Sequence, residues 1–455
     1  MGLEEFFQIF VKGAALIYFR VLSYSPIAGP LTNRQRHLHI QAHEKSVPPG
    51  TIPEGALSLL HTYENAGRPP PMTAYSRLVA ALFRTPSSIA HAQAWDLFSH
   101  MRYVAHPHPD SLLFTQMIQA CALPTPSEPE RALDLFTEMT VDRGIPPTAG
   151  AYTATILACA RSGSKVYVNE AFRLAKEMLD SHRDARGRCA FRPDSHTFGA
   201  LLEGAKRIGD LGRVRWILAE MVEVAQRDSE SKDVVVDERI MTHVFHSYAA
   251  YKPPFRRSMA PVVSQINDDA DTPPIPARST EPIESSADDY GLSAPVHGSQ
   301  EPSFARLPPQ SRSELIGEAR ALFSRISHPS SPPTNFPSAP LPALPDVHVT
   351  PRLLNAYLSV FYAHAPLETA HAMFRTTFAD HGIEKDARAL VEALERCAGA
   401  RRGAERTYVM SFADDAWKEW TALENATQAM MKHAKSSGAR HTQRAYAARI
   451  RVLAL

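Results

Sequence analysis

The chain has 455 residues but only four cysteines, and no two of them form a C-x-x-C pair. Isolated cysteines argue against a structural zinc site and against a disulfide framework, and they favour a reducing compartment. Neither sign of charge is in excess, because the chain contains 49 Lys and Arg and 48 Asp and Glu. This balance falls short of the cationic composition expected of a protein that holds nucleic acid through phosphate contacts alone.

Long apolar runs are missing as well. The most apolar N-terminal stretch, residues 6–22, is interrupted by Lys12 and Arg20, which makes it short for a transmembrane span. Glu4 and Glu5 weaken its interpretation as a targeting presequence. We therefore expect no membrane span. The basic stretch that follows fits an imperfect transit region and contains Arg34, Arg36, His37 and His39.

Catalytic and metal-binding motifs are absent from the sequence. It contains no P-loop, no G-x-S-x-G and no H-E-x-x-H pattern. Asp414 and Asp415 stand alone at the start of a predicted helix, and His106 with His108 lies in a loop without further ligands. We predict a protein that is not an enzyme and has no catalytic residues, no metal and no cofactor.

What the sequence does contain is an Ala-x-x-Leu-Phe-x-x-Met pattern that returns about every forty residues, a period typical of stacked repeats. The i, i+3, i+4, i+7 spacing places its four residues on one stripe of a helix that must be buried. The seven copies, some degenerate, begin at Ala56, Ala94, Ala132, Ala171, Val214, Ala319 and Ala370.

Each stripe is preceded by a second helical pattern. We call this the first helix of a repeat and the striped helix its second helix. First helices carry a large apolar residue near their start, at Tyr75, Phe114, Tyr152, Phe198, Met241, Leu354 and Leu390. Seven residues later an inward position holds Cys121, Cys159 and Cys397 in three repeats, so these thiols are expected in the core, while Cys189 lies in an Arg-rich loop.

A short turn of the Pro-Asp type separates one repeat from the next. Proline ends one helix and Asp or Thr is expected to cap the following one. The turns are Pro109-Asp110, Pro147-Thr148, Pro193-Asp194, Val236-Asp237 and Lys385-Asp386. With its two helices, turn and spacing, the chain resembles the pentatricopeptide (PPR) repeat over residues 54–252 and 313–398. A tetratricopeptide array would need a Trp-x-x-Leu-Gly-x-x-Tyr signature, which the chain lacks.

The resemblance implies an all-α fold, an α-solenoid of helix-turn-helix repeats. It also implies a non-catalytic protein that binds single-stranded RNA, one nucleotide per repeat, in mitochondrial RNA processing, stability or translation. By the same resemblance, the residue after the first-helix aromatic reads the base and the residue in the next turn assists it. The pairs so assigned are Ser76 with Asp110, Thr115 with Thr148, Thr153 with Asp194, Gly199 with Asp237, and Asn355 with Asp386.

The family's preferences imply guanine for Ser or Thr with Asp, and uracil for Asn with Asp. Gly199 cannot read a base, and the pair Thr115 and Thr148 is ambiguous. The interrupted repeat has Thr242 as its reader, with Thr350 favoured over Asp346 as partner. The positions that would sandwich a base hold Thr73, Leu112, Gly150, His196, Arg239, Arg352 and Arg388. Ser, Thr, Asn and Asp at helix starts are also ordinary helix caps.

The chain is divided by composition. We expect an N-terminal region with a possible targeting segment (1–53), PPR repeats (54–253), a disordered Pro/Ser/Asp-rich insertion (254–312), further repeats (313–398) and a helical C-terminal region (399–455). The insertion is either looped out of one repeat, which we favour, or a linker between two arrays.

The basic end of the chain and the balanced charge leave a second function open. The cations of the last segment are Lys432, Lys435, Arg440, Arg444, Arg449 and Arg451. They either form a solvated helix face or contact RNA or a ribosome. The alternative function is a structural or assembly component of the mitochondrial small ribosomal subunit that binds protein. A mitochondrial (matrix) location follows from the resemblance for either function.

Overall fold

The computed structural model describes residues 31–123, 127–180, 191–227, 234–254, 307–327, 344, 346–400, 405–430 and 439–454, and helices are the regular elements of these ranges. Residues 1–30 of the N-terminal region, most of the insertion at 254–312, Cys189, Lys432 and Lys435 lie outside them. No helix among the described residues is long and apolar enough to span a membrane. The described residues form two compact units, one comprising residues up to 217 with 223–247, the other 218–222 with residues from 248 onward.

The first unit is a series of helical hairpins. Its helices are α1 (Asn33–Ser46), α2 (Glu54–Asn65), α3 (Met72–Arg84), α4 (Ser88–Val104), α5 (Ser111–Ala120), α6 (Pro129–Thr137), α7 (Ala149–Arg161), α8 (Lys165–Asp180), α9 (Ser195–Ile208), α10 (Leu211–Arg227) and α11 (Glu238–Ala250). A π-helical turn, Glu138–Asp142, continues α6. The first helices α1, α3, α5, α7 and α9 pack side by side, each against the next.

The second unit repeats this arrangement. It contains the last turn of α11 and then α12 (Arg312–Ser327), α13 (Pro351–His364), α14 (Leu367–Asp380), α15 (Ala387–Ala398), α16 (Arg406–Met430) and α17 (Ala439–Leu453). Helix α12 contacts the end of α11 through a hydrogen bond from the Tyr248 hydroxyl to Glu318. Within the described residues, the predicted all-α fold of paired helices is confirmed in each unit, while the domain boundaries stay predictions.

The predicted stripes form the core. In α4 the side chains of Ala94, Leu97, Phe98 and Met101 are at most 5% exposed. The stripes of α8, of α12 and of α6 with its π-helical turn are at most 8% exposed, whereas Leu59 and Met373 in the degenerate copies are half-buried. Burial of one such apolar side chain contributes about 1.5–3 kcal/mol, so each stripe fixes its helix against the rest of the repeat.

Aromatic side chains join one repeat to the next. The ring of Phe98 on α4 lies 6.2 Å from that of Phe114 on α5, measured between centroids. Phe136 on α6 and Tyr152 on α7 lie 5.0 Å apart in the same way. In these two repeats the second helix therefore packs against the first helix that follows it.

The cysteines behave as small apolar residues. Cys121, Cys159 and Cys397 are fully buried, as predicted, and burial raises the pKa of each thiol to about 12. A thiol with such a pKa is a poor nucleophile and a poor metal ligand at neutral pH.

The basic N-terminal stretch forms a helix. Thr32 caps α1 and exchanges hydrogen bonds with Gln35 in a capping box. Helix α1 packs against α2 and α3, with Ile40 and Ala42 buried. In the structure it is the first helix of a hairpin whose second helix, α2, carries the incomplete stripe that begins at Ala56.

Part of the basic C-terminal segment is bound within the fold. The guanidinium of Arg444 on α17 donates to both carboxylate oxygens of Glu395, at 2.9 and 2.8 Å. Arg449 donates to Asp414 at 2.6 Å. Exposed ion pairs of this kind contribute at most about 1 kcal/mol, but they occupy two of the cations expected to contact a partner.

A close approach between two first helices, at Gly204, gives a test of this packing. A Cβ atom on Gly204 of α9 would lie 3.0 Å from the Cβ of Ala160 on α7. We expect Gly204→Val to lower the free energy of unfolding by about 1–3 kcal/mol, because the added methyls overpack this contact. Denaturant unfolding followed by circular dichroism measures it.

Gly212→Ala is the matched control, because Gly212 is exposed in the first turn of α10 and a Cβ there would meet only the carboxylate of Asp210 at 3.5 Å. This variant should change stability by less than about 1 kcal/mol. Equal unfolding free energies for the two variants would contradict the packing.

Candidate nucleic-acid interface

The predicted reading pairs occupy the same two places in every repeat. The reader is the fifth residue of a first helix, and its assigned partner is the N-cap of the next first helix. Ser76, Thr115, Thr153, Gly199 and Asn355 are the fifth residues of α3, α5, α7, α9 and α13. Because each first helix follows a returning second helix, the N-terminal turns of neighbouring first helices lie along one edge of a unit. We call this the N-terminal edge.

The partner residues act as helix caps, as the turn pattern predicts. Asp110, Asp194 and Asp386 each accept a hydrogen bond of 2.8 Å from the backbone N–H three residues later. Asp237 and Thr148 do the same at 2.9 and 3.1 Å. A cap of this type contributes about 1 kcal/mol to stability, so these residues are needed for the fold itself.

The reader hydroxyls bond first to their own helices. Ser76 donates to the carbonyl of Met72 at 3.3 Å, Thr115 to that of Ser111 at 2.7 Å and Thr153 to that of Ala149 at 2.9 Å. A hydroxyl has one donor and two acceptor lone pairs. Ser76 and Thr115 therefore keep acceptor capacity but have spent their donor. Thr153 Oγ1 also lies 2.8 Å from Thr197 Oγ1, and because Thr197 donates to Asp194, Thr153 shares its proton between Ala149 and Thr197.

Two of the five pairs are connected by hydrogen bonds. The Asn355 amide donates to Asp386 Oδ1 at 2.9 Å. Thr153 reaches Asp194 through Thr197, whose hydroxyl lies 2.8 Å from Thr153 Oγ1 and 2.8 Å from Asp194 Oδ1. The same carboxylate oxygens also cap α15 and α9, which fixes each reader to the start of the next first helix.

The other pairs are not joined in this way within the described residues. Thr115 and Thr148 both border Gly150, where a Cβ would lie 3.6 Å from Thr115 Cγ2 and 3.8 Å from Thr148 Oγ1. A Cβ on Gly199 would face Ile240 at 3.7 Å. The backbone N–H of Asp110 lies 3.2 Å from Met72 Sδ, and Ser76 bonds only to its own helix.

The readers lie in the seam between neighbouring first helices, and several of them are more buried than residues that contact RNA directly would be expected to be. Ser76 is 4% exposed, Thr242 2% and Asn355 1%. In the described part of the chain, Thr242 Oγ1 and Asn355 Oδ1 are buried without a hydrogen-bond partner. An unsatisfied buried polar atom costs about 1–3 kcal/mol, so these two atoms are sites where an added donor would be favourable.

A row of more exposed side chains borders the seam. It consists of the second residue of each first helix. Thr73, Leu112, Gly150, His196, Arg239 and Arg352 are exposed, and Arg388 is half-buried beside Glu392. Exposed cations and aromatic or apolar surfaces at this row can contact phosphates and stack on bases.

Several arginines near the seam are neutralised by carboxylates. Glu203 on α9 pairs with Arg161 at 3.3 Å and with Arg207 at 3.1 Å. Burial raises the pKa of Glu203, but these cations outweigh it and hold the net pKa below its ordinary value. Glu44 on α1 pairs in the same manner with Arg77 and Arg84. Four cations of the first helices are therefore neutralised within the fold.

Sequence reasoning missed two members of this edge. Thr197, the link between Thr153 and Asp194, lies three residues after a capping Asp, and its hydroxyl and N–H both bond to that carboxylate. His37 is the fifth residue of α1, and its Nδ1 lies 3.5 Å from Thr73 Oγ1. The Thr32-x-x-Gln35 capping box was the sequence signal for this helix.

Comparisons with known proteins give matches among solved structures. No protein-family model and no curated protein sequence matches the chain. Among solved structures, the pentatricopeptide repeat protein PPR10 in complex with an 18-nt psaJ RNA element is similar at a TM-score of 0.47 and 14% identity, over 85% of this chain and 40% of that one. PPR10 from maize, in a further structure, has a TM-score of 0.38 and 13% identity, over 98% and 46%.

The chain thus spans less than half the length of these structures. They are PPR proteins, the family whose repeat the sequence resembles. Because the identities are low and the TM-scores lie below 0.5, the function assigned to this chain rests on its own geometry.

The capping role of Asp194 is directly testable. Asp194→Ala removes the acceptor of the Thr197 N–H and is expected to lower the free energy of unfolding by about 0.5–2 kcal/mol. Asp194→Asn keeps a side-chain oxygen and should cost less than half as much. Denaturation midpoints of the two variants compare them, and an Ala variant as stable as the Asn variant would show that the cap contributes nothing.

A second test concerns pH. Burial, together with the nearby charge of Lys206, lowers the pKa of His243 from 6.5 to about 3. The folded state therefore holds this imidazole neutral, and its contribution is complete above pH 6.5 and lost as the pH falls. For this one group the expected loss at pH 5.5 is about 1.4 kcal/mol.

We expect His243→Gln to reduce the drop in unfolding free energy between pH 7.5 and pH 5.5 by roughly that amount of about 1.4 kcal/mol. Urea titrations of both proteins at the two pH values measure it. The same drop in the wild type and the variant would show that His243 titrates normally in the fold.

Proposed function

We propose that the chain is a non-catalytic protein that binds single-stranded RNA along the N-terminal edge of its first helices. The observation that carries this proposal is the recurrence of one arrangement in both units, a polar fifth residue beside the cap of the next first helix. In the best-formed pair, Asn355 is held by Asp386 at 2.9 Å while its Oδ1 is left without a partner.

The chemistry of that pair suits a nucleobase. Asn355 has one amide hydrogen bonded to Asp386 and an acceptor to spare, and the Watson–Crick edge of uracil offers one N–H donor between two carbonyl acceptors. The base preference agrees with that implied by the PPR resemblance. Since Asn355 is 1% exposed, a base reaches it only when α13 and α15 separate slightly at their N-terminal turns.

The electrostatics of the N-terminal edge support an anionic ligand. Each helix N-terminus carries the positive end of its dipole, and parallel first helices bring several of these ends to one edge. Arg239 and Arg352 are exposed next to them. A single strand with its phosphates outside and its bases towards the seam would match this distribution of charge and polarity.

The cellular role belongs to the proposal too. The PPR resemblance supports a place in the mitochondrial matrix and a role in mitochondrial RNA processing, stability or translation. A bound array would protect a transcript end or keep a site unpaired. These assignments depend on the repeat pattern and on the polar pairs.

A second candidate function has its own observation. The arginines around Glu203 and Glu44 are paired, and Arg444 and Arg449 are bound by Glu395 and Asp414. Cations neutralised within the fold favour a protein partner, as in a structural component of the mitochondrial small ribosomal subunit. Crosslinking in cells with sequencing of the attached RNA separates the two, because a scaffold would give ribosomal RNA or no RNA at all.

The sharpest test changes a reader and leaves every cap in place. Thr153→Asn keeps Asp194 and Thr197, and by the implied code it converts a guanine pair into a uracil pair. We expect the preference at one nucleotide to move from G to U by about 2- to 10-fold, since one net hydrogen bond is worth about 0.5–1.5 kcal/mol. Binding to a randomised RNA pool, followed by sequencing, measures it.

Thr376→Asn is the matched control, because Thr376 is exposed on the second helix α14. It introduces the same side chain far from any reader position and should leave the selected sequences unchanged. Identical pools for the wild type and Thr153→Asn, with normal affinity, would remove Thr153 from the interface. No selection of RNA by any of the three proteins would overturn the proposed function.

A further inference from the structure

Three potential metal ligands meet on the second helices of the first two hairpins. His61 and Glu64 lie one turn apart on α2, and His100 projects from α4. His61 Nδ1 lies 2.9 Å and His100 Nε2 3.0 Å from the same carboxylate oxygen, Glu64 Oε2. All three ligand atoms lie within 4.8 Å of one another. We propose that His61, Glu64 and His100 bind a divalent transition-metal ion, with zinc as the best match.

The donor set fits zinc. Two imidazole nitrogens and one carboxylate oxygen form a three-residue set of the kind that leaves the fourth tetrahedral position to water or to another ligand. Zinc bonds of about 2.0–2.1 Å place neighbouring donors about 3.3 Å apart, close to the 2.9 and 3.0 Å that separate the two imidazole nitrogens from Glu64 Oε2. The side chains of His61 and His100 are 49% and 42% exposed, so their rings can adjust without disturbing the core.

The carboxylate at the centre of the cluster has no permanent cation beside it. The side chain of Glu64 is only 3% exposed, and among the described residues its ion-pair partners are these two histidines rather than a lysine or arginine. Tyr75 and the two imidazoles stabilise this carboxylate through hydrogen-bond contacts. A divalent ion between the three side chains would add a permanent positive partner for the buried charge.

Tyr75 holds the carboxylate in position. Its hydroxyl, on a fully buried side chain, donates to the other oxygen, Glu64 Oε1, at 2.6 Å. Metal-binding carboxylates are commonly oriented by such a second hydrogen bond. One oxygen is thus fixed by the core of α3 and the other is left facing the two imidazoles.

The metal would tie α2, α3 and α4 together. The expected absence of a metal rested on the lack of cysteine pairs and of H-E-x-x-H, whereas these ligands combine an i, i+3 pair with a histidine 36 residues after Glu64. The site lies on second helices and requires no RNA, so its test is independent of the test of the proposed function.

The test is calorimetric titration of the full chain, freed of metal with a chelator, with zinc chloride alone. We expect one zinc ion per chain in a single tight phase and a raised melting temperature. Glu64→Gln, which preserves the shape of the side chain, and His100→Ala should each weaken that phase at least about tenfold. Tyr75→Phe keeps the ring and should weaken it by about 10-fold through the lost orientation.

His348→Ala is the control, since His348 is exposed and lies in a loop outside the cluster; it should bind zinc as the wild type does. His61→Ala should weaken zinc binding as the other ligand variants do. Because half of that side chain is exposed, its removal should leave the fold intact. Cobalt(II) should give the absorption bands of a tetrahedral site in the wild type and in His348→Ala but not in the ligand variants. Equal zinc binding by the control and the three ligand variants, or no stoichiometric phase in the wild type, would overturn the site.

Discussion

The contact between each second-helix phenylalanine and the aromatic residue of the next first helix is the interaction on which the rest depends. Phe136 lies 5.0 Å from Tyr152 and Phe98 lies 6.2 Å from Phe114, measured between ring centroids. Where the stripe has no phenylalanine, as at Ala175 and Leu218, other buried apolar side chains occupy the same position, and successive first helices start at the same edge. The N-terminal edge, with its caps and readers, is a consequence of that packing.

At this edge, stability and recognition use the same residues. Asp194 caps α9 with the oxygen that also bonds Thr197, and through it Thr153. Loss of a cap would therefore lower the stability of the fold as well as the affinity for RNA. Substitutions that keep the cap are more informative, because they change binding alone. The readers are held rigidly and are mostly buried, so binding is coupled to a small opening between first helices rather than to free side-chain motion.

Sequence pattern predicts what is local and periodic. The buried stripes, the core position of Cys121 and its equivalents, and Thr350 as the cap of α13, with a hydrogen bond of 3.3 Å from the Leu353 N–H, follow from spacing and cap chemistry. Helix α1 was not predicted as part of a repeat, because its many basic residues obscure the two residues that it buries, Ile40 and Ala42. The burial of Asn355 and the cluster around Glu64 depend on residues brought together by stacking, and a periodicity read along the chain does not contain that information.

The central claim is that RNA lies along the N-terminal edge of the first helices. The most direct measurement is ultraviolet crosslinking of the full chain to single-stranded RNA, with the attached peptides identified by mass spectrometry. The account predicts crosslinks in the N-terminal turns of α7, α9 and α11, including His196 and Arg239, and few on the striped second helices. Crosslinks concentrated on second helices, or on α17, would contradict it.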